Sequence, residues 1–265
     1  DLKVIVTGSH LSHEHGYTIK EIISDGIKVD EKVPTIIKTD TSIDIANIFS
    51  NTVSKMVISI SNLKPDLILL LGDRYEILAT AISATILKIP IAHIHGGEIT
   101  EGATDNAMRH CLTKLSHIHF VSNQIYKDRI MQMGEAPRHI HNVGALGVEN
   151  LLNLELMNLN KLQNDLNFKF LKKNILITYH PVTLNEKPTI GIDCILKVLK
   201  NFNNVGLIFT LSNADIEGSL INKKILEFTN GKSNAVSFFS LGQIKYFSCL
   251  KHCDLVLGNS SSGII

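Results

Sequence analysis

The chain has 265 residues, 44% hydrophobic and 19% charged, a balance that fits one large or two ordinary well-buried domains and excludes a disordered chain. With 26 basic against 25 acidic residues, bulk charge draws it neither to nucleic acid nor to a membrane surface. The apolar tract 77–94 is broken by Ser83, Lys88 and Pro90, so it reads as helix, turn and strand rather than as a membrane span.

Residues 3–7 are apolar and β-branched, the pattern of a strand, and Gly8-Ser9-His10 turns the chain. A short helix over 17–23 and a second strand over 35–38 follow. Between 43 and 63, Ile45, Ile48, Phe49, Val53, Met56, Val57 and Ile60 recur at helical spacing, which predicts a long amphipathic helix. Residues 67–71 form a continuous apolar run ended by Gly72, as expected of a parallel strand buried on both faces. Helix 76–87, strand 90–94, helix 105–115, strand 118–121, helix 124–133 and strand 140–143 come next. From 146 to 174 the composition shifts to Leu, Asn and Lys with short helical pieces, which marks a connection between domains.

A second series then begins with strand 175–179 and runs through helix 190–201, strand 206–211, helix 218–228, strand 235–239, helix 244–250 and strand 255–257. Such alternation predicts an α/β fold of parallel sheets with helices on both faces. Two series predict two Rossmann-like domains, 1–156 and 157–265, with a cleft between them. Cys111, Cys194, Cys249 and Cys253 form no C-x-x-C pair, and no signal-peptide pattern occurs, so a reduced, cytoplasmic protein is expected. Cys111, within a helical pattern, is expected to be a small buried hydrophobe. The sequence opens directly on a strand and stops inside a helical pattern, so it reads as truncated at both ends.

Ligands of parallel α/β sheets bind at the carboxyl ends of strands and the amino ends of helices. Gly72-Asp73-Arg74-Tyr75-Glu76, His93-Ile94-His95-Gly96-Gly97-Glu98 and Asp105-Asn106-Ala107-Met108-Arg109-His110 all fall there, so Asp73, Glu98, Asp105, Arg74 and Arg109 are expected to converge on one sheet edge. Taken singly, Asp73 also fits a helix cap, and Asp105 with Arg109 fits a surface ion pair of small energetic value. Gly96-Gly97 permits a close approach of ligand or backbone. His10/His13/His15, His93/His95, His117/His119 and His139/His141 invite a metal reading, yet only His93/His95, with Glu98, has a completing carboxylate, so no metal and no cofactor are expected. In the second series His180-Pro181 and Asn213 follow strands. Gly258-Asn259-Ser260-Ser261-Ser262-Gly263 offers backbone N–H groups and hydroxyls to a phosphate at a helix start. Neither G-x-G-x-x-G nor a Walker motif occurs. Carboxylates without metal or redox cofactor suit proton transfer or glycosyl chemistry.

The ordered set G-D-R-Y-E, H-I-H-G-G-E, D-x-x-x-R-H, T-K-L-S-H-I-H, H-P-V-T and G-N-S-S-S-G closely resembles the hydrolysing UDP-N-acetylglucosamine 2-epimerases of sialic acid biosynthesis across nearly the whole chain. The resemblance implies a glycosyltransferase-B type fold, a homodimer or higher homo-oligomer, and conversion of UDP-N-acetylglucosamine and water to N-acetylmannosamine and UDP. A base would take the C2 proton as UDP leaves C1, and water would add to the resulting 2-acetamidoglucal. Asp73, Glu98 and Asp105 would serve as acid/base groups and Arg109 would position or stabilise. Arg74, His180, Asn213, Ser260 and Ser261 would hold UDP, with His180 also contributing to catalysis. Crowded carboxylates are expected to raise one another's pKa values. The family's first strand with its Gly- and Arg-bearing loop, and an acidic uridine-side contact, have no match in this sequence.

Four other readings share the pattern. Close relatives act on UDP-N,N′-diacetylbacillosamine, and non-hydrolysing 2-epimerases typically carry G-D-T and E-A-G where this chain has Gly72-Asp73-Arg74 and His95-Gly96-Gly97. A retaining glycosyltransferase would need an acceptor cleft, and a nucleotide-sugar sensor would bind UDP without turnover.

Overall fold

The computed structural model describes residues 1–35, 41–185, 187, 189–212, 215 and 217–260. They form two compact units, Asp1–His13 with Tyr17–Glu149, and Glu14–Gly16 with Asn150–Ile265.

In the first unit β1 (Ile5–Thr7) pairs in parallel with β2 (Glu31–Val33), and α1 (Ile19–Ser24) lies between them in sequence. The second strand therefore precedes the expected one: Thr35 is in no strand, and 36–38 lie outside the described residues. Its sequence, Glu-Lys-Val, carries one apolar residue, so no periodicity announced it. Val33 alone turns into the core, against Met56 and Ile60, and the Glu31 carboxylate accepts from the Ser59 hydroxyl. All three partners come from α2 (Ser42–Leu63), which starts where the Thr41 hydroxyl accepts from the Asp44 N–H and ends at Lys64 in a left-handed turn, φ +49°.

A four-stranded parallel sheet follows in the order β3 (Ile68–Leu71), β4 (Ile91–Ile94), β5 (Ile118–Val121), β6 (Ile140–Asn142). Helices α3 (Tyr75–Ile86), α4 (Asp105–Leu115) and α5 (Gln124–Gln132) make the crossovers. Leu70 and Ile91 meet Ala81, Ala84 and Leu112, while Val121, Ile130 and Ile140 close a second cluster. Contrary to expectation, β3 is not buried on both faces: Leu69 is 59% and Leu71 53% exposed. An unbroken apolar run shows that a strand is apolar on both faces but not that both are covered. Cys111 is also exposed, because α4 turns Arg109, Leu112 and Thr113 inward instead.

In the second unit α6 (Leu146–Asn153) and α7 (Leu159–Leu166) lead into a parallel sheet ordered β10 (Leu255–Gly258), β7 (Lys173–Thr178), β8 (Val205–Thr210), β9 (Ala235–Phe238). Here period-2 alternation feeds two cores. Ile175, Ile177, Leu207 and Phe209 face α8 (Ile190–Leu199) and α9 (Gly218–Thr229), whereas Leu176 and Ile208 face α7 and α10 (Gly242–His252). Phe209 and Phe228 meet edge to face at 5.8 Å, a contact that adds to the area they bury. No described helix is long and apolar enough to cross a membrane.

Candidate active site

The loops leaving β3, β4 and β5 at their carboxyl ends supply one hydrogen-bonded group in the first unit. Gly72 ends β3 in a left-handed turn, φ +85°, that glycine adopts without strain, and Asp73 follows. The chain leaves β4 through His95, Gly96 and Gly97 to reach Glu98. A Cβ on Gly96 would stand 3.0 Å from His93 Nδ1 and 3.1 Å from Thr113 Oγ1. One on Gly97, φ +77°, would stand 2.7 Å from the Tyr126 carbonyl. The two glycines therefore let this turn press against α4 and α5.

Arg109, on the inward face of α4 and 7% exposed, ties the loops together. Its Nη2 donates to Asp73 Oδ2 and to Thr100 Oγ1 at 3.2 Å. Its Nη1 donates to Glu98 Oε2 at 3.1 Å and to the His95 carbonyl at 2.9 Å. Glu98 is buried and nearly saturated, since Oε1 also accepts from His95 Nδ1 at 2.6 Å and from Ser122 Oγ at 2.9 Å. Burial pushes the Glu98 pKa up, but the hydrogen bonds and charge from His95, the Ser122 hydroxyl and the Arg109 charge outweigh it, and the net shift is downward. Mutual raising among crowded carboxylates is thus not what Glu98 experiences, because a guanidinium stands between it and Asp73.

His93 lies beneath this group, fully buried, with Nε2 donating to the Gly72 carbonyl at 2.7 Å. Burial lowers its pKa to about 4, so the ring is neutral near pH 7 and carries its proton on Nε2. His93 and His95 thus take different partners, and they do not form the strand-face pair that a metal reading requires. Among the described residues no set of three His, Cys, Asp or Glu side chains is placed to hold a metal ion.

Asp105 opens α4, half-buried and one turn before Arg109, at a helix terminus that favours negative charge. Arg74 precedes α3, donates through Nε to Glu76 Oε2 at 3.2 Å and lies over the Tyr75 ring at 5.3 Å. All five charged residues expected at this edge therefore belong to one unit, and Asp73, Glu98 and Arg109 are in direct contact. Ser122 and Thr100 are partners that the sequence reading did not single out, and His95, weighed there only as a metal ligand beside Glu98, bonds to Glu98 directly. Ser122 follows β5 as Asp73 follows β3, so its place after a strand was the available signal.

In the second unit, Gly258 has φ +145°, and a Cβ there would stand 1.8 Å from the Thr178 carbonyl. Glycine alone lets β10 end this close to β7. Asn259 then clasps the neighbouring loop: its Oδ1 accepts from the His180 N–H at 2.8 Å and its Nδ2 donates to the His180 carbonyl at 2.9 Å. The His180 ring lies with Nδ1 3.4 Å from Ser212 Oγ and 3.9 Å from Asp215 Oδ2. Ser260 follows Asn259 and is half-buried. Asn213, Ser261 and the helix expected after Ser261 lie outside the described residues. Asn259 stands inside the Gly- and Ser-rich motif, and its side chain is what joins the two loops.

The chain spans 69% of a curated relative from Campylobacter jejuni, GDP/UDP-N,N′-diacetylbacillosamine 2-epimerase (hydrolyzing), with 41% identity over 99% of this chain. Polysialic acid biosynthesis protein P7 of Escherichia coli is 35% identical over 100% of this chain and 68% of its own length. The fold is shared with the crystal structure of UDP-GlcNAc 2-epimerase from Neisseria meningitidis bound to UDP-GlcNAc, with TM-score 0.72 and 20% identity over 98% of this chain and 70% of that one. The profile of the UDP-N-acetylglucosamine 2-epimerase family matches residues 1–265. The chain belongs to the UDP-N-acetylglucosamine 2-epimerase family.

Proposed function

We propose that the protein is a hydrolysing 2-epimerase of a UDP-linked 2-acetamido sugar. The observation that carries this reading is the buried Arg109 bridge between Asp73 and Glu98 at the ends of adjacent strands. Such a group sets carboxylates to take a proton from a carbon acid and return one beside a guanidinium whose charge stays fixed. Abstraction of the C2 proton leaves electrons that form the C1=C2 bond as the C1–O bond to UDP breaks. Water then adds, its oxygen to C1 and a proton to the opposite face of C2, which inverts that centre. Asp73, Glu98 and Asp105 are assigned the acid/base work, Asp73 and Asp105 by direct proton transfer and Glu98 through the hydrogen bond it accepts from His95, and Arg109 holds Asp73 and Glu98 in place. Arg74, His180, Asn213, Ser260 and Ser261 are assigned to UDP. Asn259 sets the His180 backbone that this nucleotide site would use.

The 41% identity to the Campylobacter enzyme favours UDP-N,N′-diacetylbacillosamine as the sugar nucleotide. The family match over residues 1–265 supports UDP-N-acetylglucosamine, with N-acetylmannosamine released, as the second reading. The test is product analysis of the full-length protein with each sugar nucleotide in D2O. Release of UDP with a C2-inverted free sugar carrying deuterium at C2 is expected. An intact UDP-sugar epimer as product would make the enzyme non-hydrolysing, and binding of UDP without turnover would make the protein a sensor.

A further inference from the structure

His95 stands in the middle of the acid/base group, although its spacing from His93 suggested only a metal-ligand role. Its backbone is left-handed, φ +65°, in a region that residues with a Cβ seldom enter, and such conformations gather at active sites. Three hydrogen bonds hold it there: its N–H donates to the Phe120 carbonyl at 2.9 Å, its carbonyl accepts from Arg109 Nη1 at 2.9 Å, and its Nδ1 donates to Glu98 Oε1 at 2.6 Å. The unusual backbone therefore sets the imidazole against Glu98.

Glu98 itself is poorly free to exchange protons. Three donors, from His95, Ser122 and Arg109, occupy its two oxygens, and protonation would set them against a neutral acid. A carboxylate fixed in this way orients a histidine, the arrangement in which an imidazole serves as a general base. With Nδ1 bound to Glu98, Nε2 is the remaining exchanging atom. It has no partner among the described residues and is not among the buried unpartnered atoms, so it is open to a ligand. The His95 side chain is 20% exposed and that of Glu98 11%, so the imidazole is the more accessible of the two.

We propose that His95 is a catalytic residue, with its Nε2 the base that takes the C2 proton and Glu98 the group that orients it. This rests on the 2-epimerase reading above. In the first step the Nε2 lone pair takes the proton, the C–H electrons form the C1=C2 bond, and the C1–O bond breaks to release UDP. The imidazolium, held by Glu98, gives its proton to solvent. In the second step a carboxylic acid, Asp73 or Asp105, protonates the other face of C2. It recovers its proton from the water whose oxygen bonds to C1.

The test compares wild type, His95→Asn and His95→Gly of the full chain, with UDP release measured on both sugar nucleotides. Asn keeps an N–H toward Glu98 but cannot accept the substrate proton. Gly fits φ +65° without strain and leaves a space for free imidazole. The expected result is a kcat loss of about 10²-fold or more for His95→Asn, the usual effect of removing a general base, with KM changed little. His95→Gly should be equally slow and be restored by added imidazole, a response that a merely structural role would not give. Turnover of His95→Asn close to wild type, or a folded His95→Gly that ignores imidazole, would overturn the assignment while leaving the reaction intact. Wild type that releases UDP from neither sugar nucleotide would overturn the reaction reading itself, and the base with it.

Discussion

Replacing Arg109 by Met keeps the volume of the side chain's stem and removes the charge that links Asp73 to Glu98. Arg109 is 7% exposed and Glu98 8%, so the lost bond is a buried one, while the Asp73 side chain, 20% exposed, is partly rehydrated. Breaking a buried pair by removing one partner costs about 3–5 kcal/mol, most of it from the carboxylate left uncompensated. The lower half of that range is expected here, about 3–4 kcal/mol, because Glu98 keeps the His95 and Ser122 donors and Asp73 regains water. The loss should also depend on pH. In wild type the Glu98 pKa is lowered on folding, so its contribution is present above the unfolded carboxylate pKa and fades as pH falls through the lower folded value. Without Arg109, burial has one fewer opponent, the folded pKa rises, and protonating Glu98 relieves the variant. Arg109→Met should therefore be most destabilising near pH 7 and less so near pH 5. Urea denaturation of both proteins at the two pH values measures this. A difference below about 1 kcal/mol at pH 7, or a penalty that grows on acidification, would refute the view of Arg109 as the charge holding two carboxylates.

Asp73→Asn is expected to lower turnover by about 10²–10⁴-fold with UDP affinity nearly unchanged. Calorimetric titration of UDP beside a UDP-release assay checks it, and lost UDP binding with retained chemistry would reverse the assignment. His180→Ala should weaken UDP binding by roughly tenfold to a hundredfold, since a charge-assisted hydrogen bond contributes about 1.5–3 kcal/mol; unchanged affinity in matched salt would remove His180 from the nucleotide site. Gly258→Ala would place a methyl 1.8 Å from the Thr178 carbonyl at φ +145°. It should cost about 1–3 kcal/mol from backbone strain alone. It should also loosen the Asn259 clasp on His180, read as a lower melting temperature together with weaker UDP binding.

What the sequence determined by itself is local. Apolar runs placed β3 to β10 and, apart from α6 and α7, the helices between them within a few residues, because a strand of period 2 and a helix of period 3.6 each write their pattern into their own residues. The same reading put Asp73, Glu98 and Asp105 at strand ends and a helix start, which follows from position alone once the elements are known. Tertiary structure decided the rest. Only folding reveals that β2 is Glu-Lys-Val, that Leu69 and Leu71 are uncovered, and that Cys111 faces out while Arg109 faces in. Arg109 meets Asp73 across 36 positions, and Asn259 meets His180 across 79. His95 reaches Glu98 over three, but through a left-handed turn held by Arg109 from another helix. Such partners leave no period in the chain. They meet because parallel strands end side by side, and the energy that holds them comes from burying the elements that bring them there.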